Sequence, residues 1–534
     1  MTSLRTRRPR PRVSLRFAAL VVAVIAIVAS SLLVAAPGSA ADRPARILMG
    51  EPATLDPAVA GDAGSAAVIA QLFEGLTAID PSLTPRPALA ERWELNDEGR
   101  TVVFTLRDGL TFSDGSALTA ADVRRSWLRV LDPAAPSPLA SLLYDVVGAR
   151  DYAAGRGSPD AVGVVADGRT LEVRLTRPAG DFPAIAASPT LAVVPPLVGT
   201  DPAALQPSPE FVGSGGYLLV APAANGLALK ANPRYWAGPP AITNVTLVSD
   251  IGGRSTVDVF AAGELDWAPI ARFDASWLAY DPDLGASLRT WADLSVTYYG
   301  FETRRPPFDD ARVRRAFASA VDWARIVALA DGSSALPATS MVPPGIPGRS
   351  DDRFLPAFDP VSARALLAEA GYADPATFPA VTLGTAGTAY DRAIVEQLRT
   401  NLGVTVNFES LDFATLFGRL GSQDSPDLWA LAWIADYPSP NDFLGILLGT
   451  GQPNNYGGWS SPDFDAAITR AVGTTDAATA RAGYDAAERL LAQEVPVVPV
   501  SYGTSAALAR DGLLGATSNG LGILRLAGLS WAGQ

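Results

Sequence analysis

The chain has no cysteine and no histidine, and Lys230 is its only lysine. The first two absences exclude disulfides, thiolate nucleophiles, Cys/His zinc sites and a Ser-His-Asp triad. Carboxylate-based chemistry or simple binding remains. A chain without cysteine has no attachment point for a lipoprotein anchor, and it is compatible with an oxidising compartment. Beyond residue 41 no apolar run approaches the roughly 20 residues that span a bilayer. Positive charge is outnumbered: 42 Lys and Arg face 55 Asp and Glu, for a net charge of −13. Such a surface repels phosphate backbones and argues against nucleic acid as a partner.

What is present points to an ordered, exported α/β protein. The 534 residues, 48% hydrophobic and 18% charged, exceed what one core organises, so two or more packed units are expected. Six arginines (Arg5, Arg7, Arg8, Arg10, Arg12, Arg16) precede an apolar run from Phe17 to Ala36. Pro37 and Gly38 break it, and Ser39, Ala40 and Ala41 follow. That order reads as a secretory signal peptide over residues 1–41, cleaved after Ala40 or Ala41. An uncleaved anchor is the alternative, because the run is long enough to span a bilayer.

Local patterns place several elements. Val102, Phe104 and Leu106 alternate with polar or outward positions, as do Leu171, Val173 and Leu175; each set predicts a half-buried strand, and the two can pair in one small sheet. Asp359-Pro360 and Gly371 bracket a helix over 361–370. Asp309 or Asp310 caps a helix predicted to run to about Ala330, with Val313, Phe317, Ala320 and Val321 inward. Thr119 to Val130 and Ala477 to Ala492 also read as helices. Proline clusters over 178–209 and 337–347 mark surface connections. Helices alternating with strands give an α/β class.

A series of phrases then resembles a known family. In order they are Leu55-Asp56-Pro57, Leu72-Phe73-Glu74-Gly75-Leu76, Ala90-Glu91-Arg92-Trp93, and Phe104 to Arg107 followed by Phe112-Ser113-Asp114-Gly115. Asn232-Pro233-Arg234-Tyr235-Trp236, Gly263-Glu264-Leu265-Asp266 and Pro307 to Arg314 come next, then Trp433-Ile434-Ala435-Asp436-Tyr437-Pro438 and Val497-Val498-Pro499-Val500. Together they resemble the family-5 extracellular solute-binding proteins, the peptide and oligopeptide receptors of ABC importers, over roughly residues 47 to 510. The resemblance implies a two-lobe, type II periplasmic-binding-protein-like fold with a small subdomain inserted in lobe I and a two-strand hinge. Mapped here, lobe I is 42–88, 190–296 and 499–534, the inserted subdomain 89–189, and lobe II 297–498. The chain would cross between lobes near Trp291–Phe301 and Pro496–Tyr502, and closure about that hinge is the implied motion.

By the same resemblance Asp436 pairs with the free α-amino group of a peptide. The alternative is that Asp436 caps a turn before Tyr437-Pro438. Trp433 would line a side-chain pocket or else pack in the core. Ile434, Ala435 and Tyr437 would frame an extended ligand, Ile434 and Ala435 offering backbone groups to an added strand. From lobe I, the segment Gly61 to Ala63 and the loop Ser137-Pro138-Leu139 would face them. Leu139 stands where the family often has tyrosine, so its contact is apolar only. Ala430 stands where oligopeptide binders carry an arginine for the peptide C-terminus. Recognition of that end is therefore absent, done by another arginine, or left to water.

Other features take plainer readings. Asp309-Asp310 with Arg312, Arg314 and Arg315 reads as a capped, solvated helix face. Gly213-Ser214-Gly215-Gly216-Tyr217 matches no phosphate-loop pattern and reads as a turn before a strand. Nothing around Glu264 and Asp266 supports joint acid/base work. The expectation is thus a non-enzymatic, monomeric substrate-binding component of an ABC importer. It would capture a short peptide without metal or cofactor and deliver it to membrane permease subunits. The alternatives are another solute in the same fold, such as an oligosaccharide or an amine, and a carboxylate-dependent hydrolase.

Overall fold

Two strands of unusual length organise the molecule. The computed structural model describes residues 43–199, 201–332, 335–474 and 476–533; the expected signal segment 1–41 lies outside them. Within it, Leu288–Phe301 and Val497–Ala509 run for fourteen and thirteen residues, where ordinary strands have about 5–6. They are rich in Val, Thr and Tyr, which suit a pleated, buried surface. The two pair antiparallel, with register shifts between Ala292 and Val296 and between Thr297 and Tyr298. Such irregularities bend a strand and raise its twist.

The shifts fall where the partners change. Residues 506–509 pair on their other side with Trp267–Ile270, and 295–301 pair with Leu428–Ile434. From that centre one sheet of eleven strands extends both ways among the described residues. One wing continues through Ala45–Leu48, Asn244–Val248, Gly226–Ala231 and Tyr217–Ala223; the other through Val381–Thr385 and Val406–Ser410. Ala335–Pro337 pairs with Val497–Ala509 to the side. Each wing has its own core. Ile47, Leu72, Phe73, Tyr217 and Trp531 gather under the first. Phe301, Phe308, Phe317, Leu383 and Val498 gather under the second. The result is a two-lobed α/β architecture.

A separate four-stranded antiparallel sheet is built from Ala90–Asn96, Thr101–Leu106, Thr170–Arg174 and Val164–Asp167. The two alternating segments pair directly, Val102 opposite Val173 and Phe104 opposite Leu171. All four side chains are buried. Helix Ala120–Val130 covers this sheet, opened by a Thr119/Asp122 capping box that satisfies two otherwise unpaired N–H groups. Its core is a further apolar cluster, distinct from those under the two wings: Phe104, Trp127 and Phe182 gather there with Phe464, Val472 and Tyr484. Gly180 makes the join tight. Its N–H donates to the Val472 carbonyl at 2.6 Å, and a Cβ there would stand 2.8 Å from the Thr474 carbonyl oxygen.

Helix Pro360–Glu369 starts on Asp359, whose side chain accepts from Val361 N and Ser362 N, and Gly371 follows with φ +100°. Two expectations are corrected. The single helix expected from Asp310 to Ala330 is two: Ala311–Ser319, capped by Asp310, and Trp323–Ala330, capped by Asp322. Distant side chains satisfy the broken ends, since Asp322 N donates to Gln397 Oε1 and Asn401 Nδ2 donates to the Ala320 carbonyl, both at 2.7 Å. The inward residues Val313, Phe317, Ala320 and Val321 are buried as expected. Arg314 does not belong to a solvated face. It is 3% exposed and donates to the carbonyls of Phe308, Glu494 and Val495. No helix among the described residues is long and apolar enough to cross a membrane.

Candidate functional site

A cavity of about 320 Å³ opens between the first wing and the segment that leaves strand Leu428–Ile434. That volume is in the range of small-molecule sites, roughly 300–1,000 Å³. Its first wall is the helix Ala63–Leu72. Asp62 caps it, its carboxylate accepting from Ser65 N at 2.8 Å and Ser65 Oγ at 2.6 Å. These bonds hold the Asp62 carboxyl below the ordinary carboxylate range. Ala63, Ala66 and Ala70 recur at helical spacing, and all three line the cavity with Phe73. Small side chains leave the volume that larger ones would fill. Gly61 sits where a Cβ would stand 2.6 Å from Pro138 Cγ, and Leu139 adds an apolar contact beside it.

The facing wall is residues 434–438. The strand before it is held in register by Leu288–Phe301, and Ala435 N donates to the Leu294 carbonyl at 2.8 Å. Ile434 is 70% exposed and Ala435 and Tyr437 are buried, so the side chains alternate as an edge segment requires. Asp436 is exposed and lines the cavity. Protein encloses it closely enough that desolvation raises its carboxyl above the ordinary range. Tyr437 turns inward, where its hydroxyl accepts from Asn441 Nδ2 at 3.1 Å. Burial raises that phenol well above its usual value.

The remaining walls were not legible in the sequence. One runs from Ala184 to Ala192, within the first proline-rich stretch. The other is Asn519, Leu521, Ile523 and Arg525 near the C-terminus. Arg525 is engaged: Nη2 reaches Glu74 Oε1 at 3.0 Å and Nη1 the Ala70 carbonyl at 2.9 Å. Tyr235 donates to the other oxygen of Glu74 at 2.5 Å. Arg525 lies some 450 residues from Ala70 and Glu74, so no local pattern marks it.

Of the residues singled out beforehand, the cavity brings together Ala63, Leu139, Ile434, Ala435, Asp436 and Tyr437. Trp433 is not among its lining residues. It is half-buried, and its indole N–H donates to Asp442 Oδ2 at 2.9 Å. Ala430 is buried in the second wing's core. Glu264 and Asp266 part company: Glu264 pairs with exposed Arg254, whereas Asp266, 1% exposed, pairs with Arg43 and Arg46. No group of three or more acidic side chains among the described residues is arranged to hold a metal ion.

Chemically, the cavity offers a mainly apolar surface of small side chains, two carboxylates with no ion pair among the described residues (Asp62, committed to capping its helix, and Asp436), and an arginine already paired with glutamate. This arrangement suits an apolar or extended ligand that carries one positive group.

The family model described as "Bacterial extracellular solute-binding proteins, family 5 Middle" matches residues 84–455. Among curated proteins, the probable deoxycholate-binding periplasmic protein YgiS of Escherichia coli is 32% identical, with 88% of this chain and 92% of that protein covered. The oligopeptide-binding protein OppA of Bacillus subtilis is 28% identical, with 88% and 89% covered. Among solved structures, the unliganded open form of the periplasmic murein tripeptide binding protein MppA superposes with a TM-score of 0.82. It is 26% identical, with 91% of this chain and 97% of that chain covered.

Proposed function

The chain belongs to the bacterial extracellular solute-binding proteins of family 5, and from that premise we propose that it captures a short peptide between its lobes for an ABC importer. The observation that carries this reading is Asp436, a carboxylate facing a cavity of small apolar walls. A cation docking there as the lobes close would leave water, and an ion pair strengthens as the local dielectric falls. Ile434 lies beside it on an edge segment, where its main-chain groups would bond an extended ligand whatever its side chains, while the Ala435 N–H is already bonded to the Leu294 carbonyl. Peptide-binding relatives such as OppA support the ligand class.

Within this reading, lobe I comprises 42–88, 190–296 and 499–534, the inserted subdomain 89–189, and lobe II 297–498. The self-contained sheet between Ala90 and Arg174 supports the insertion, and the register shifts in the two long strands support the hinge. The protein acts as a monomer outside the cytoplasmic membrane, docks on permease subunits, and turns over nothing.

The test is calorimetry with trialanine, its N-acetyl form, and the Asp436→Asn variant. Binding of trialanine alone, lost on acetylation and lost in the variant, is expected. Unchanged affinity in Asp436→Asn overturns the amine anchor. A second reading rests on the apolar walls and on the name of the relative YgiS: a steroid carboxylate. Saturable binding of deoxycholate with no binding of trialanine would decide for it.

A further inference from the structure

Asp442 stands six residues beyond Asp436, in the short helix Pro440–Phe443. It is 0% exposed. Its Oδ2 accepts two hydrogen bonds, from Trp433 Nε1 at 2.9 Å and from the backbone N–H of Asp436 at 3.2 Å. Its Oδ1 is buried and has no hydrogen-bond partner. The charged groups that face it are acidic: Asp436 first, with Asp181 behind. Asp181 comes from the segment before helix Phe182–Ile185 and accepts from Ser439 Oγ and Asn441 Nδ2 at 3.1 and 3.3 Å. Arg177 acts on Asp181 and on the buried phenol of Tyr437.

An ionised carboxylate buried without a cation costs several kcal/mol. A carboxyl in that position keeps its proton instead. The hydrogen bonds say where the proton sits. Oδ2 receives two N–H groups and is the carbonyl-type oxygen, so the hydroxyl is Oδ1, the atom with no partner. Burial, reinforced by the neighbouring charge of Asp436, holds this carboxyl well above the ordinary range.

We propose that Asp442 is a proton-carrying positioning residue of the cavity: it fixes Trp433 and the backbone of Asp436, and releases its proton to solvent when a cation docks on Asp436. This rests on the reading of Asp436 as the site's anion. The free pair carries one proton and one charge. A ligand ammonium on Asp436 offsets the neighbouring negative charge that adds to burial in opposing ionisation of Asp442. By linkage, the doubly ionised pair binds the cation more tightly than the singly ionised one, so affinity rises with pH as Asp442 ionises.

The test measures trialanine affinity between pH 5.0 and 7.5, below the α-amino pKa of about 8. Wild-type affinity is expected to rise at least about threefold over that range, with protons released per ligand bound when buffers of different ionisation enthalpy are compared. Asp442→Asn, which mimics the protonated acid, is expected to match wild type at pH 5.0 and stay flat to pH 7.5. A purely structural role would weaken binding equally at every pH. A second measurement needs no ligand: the tryptophan emission lost in Trp433→Phe, followed against pH. It is expected to titrate above the carboxylate range in wild type, and not in Asp442→Asn. If trialanine fails to bind wild type, the amine reading falls while the emission titration still judges Asp442. An unchanged affinity profile in Asp442→Asn, or an emission profile that ignores Asp442, overturns the proposal.

Discussion

Gly300 lies against the indole of Trp429, its direct partner across the strand pair. A Cβ on residue 300 would stand 2.1 Å from Trp429 Cζ2. The ring cannot retreat, because Tyr298 and Tyr456 meet it edge-on at 5.7 and 6.0 Å between centroids. Gly300→Ala must therefore displace either a packed aromatic or the strand, which costs about 3 kcal/mol of overpacking strain. Urea unfolding checks this. A change under about 0.5 kcal/mol, the size of an ordinary surface substitution, would show that the ring moves freely.

Glu488 gives stability a pH dependence. It is buried on helix Ala477–Glu494, and its Oε2 accepts from Met341 N at 3.4 Å. Burial pushes its carboxyl from 4.5 up to about 7. A carboxyl raised on folding stabilises the protein fully below its unfolded value, and that contribution is lost as pH rises through the folded one. Wild type should lose up to about 3 kcal/mol from this group between pH 4.5 and a little above 7. Glu488→Gln should remove that slope, so the Tm gap between variant and wild type widens with rising pH. Parallel Tm profiles across that window would refute it.

Arg525 and Glu74 tie the C-terminal segment to the end of the helix that walls the cavity. Glu74 is 3% exposed and Arg525 about a third exposed. Arg525→Met strands a buried carboxylate and should cost at least about 2 kcal/mol, discounted for the exposure of the arginine. Adding Glu74→Gln should recover part of the loss. A double-mutant cycle reads the coupling; additive effects would mean the pair contributes nothing as a pair.

The likeness to an open, unliganded relative and the register shifts in the paired long strands lead to an expected motion. Saturating ligand should compact the molecule by rotation about Leu288–Phe301 and Val497–Ala509. Small-angle scattering with and without ligand checks it. Identical radii of gyration would mean that capture occurs without closure.

Patterns confined to neighbouring residues were enough for much of the architecture. Alternation in 102–106 and 171–175 marks strands because every second side chain meets the same face. Asp359 and Gly371 mark helix ends because a carboxylate and a left-handed glycine satisfy terminal groups locally. The ordered phrases of the chain sufficed for the family, and they drew attention to 433–437, of which Ile434 to Tyr437 line the cavity. Tertiary structure alone decided the rest. Trp433 turns its indole to Asp442, Arg314 is buried under the end of a helix 180 residues away, and Asp322 interrupts a helix because Gln397 and Asn401 are there to receive the loose ends. Asp442 looks in sequence like any first-turn acid; only packing withdraws it from water and leaves one oxygen without a partner. Burial and charge environment depend on residues hundreds of positions apart, and local periodicity carries no record of them.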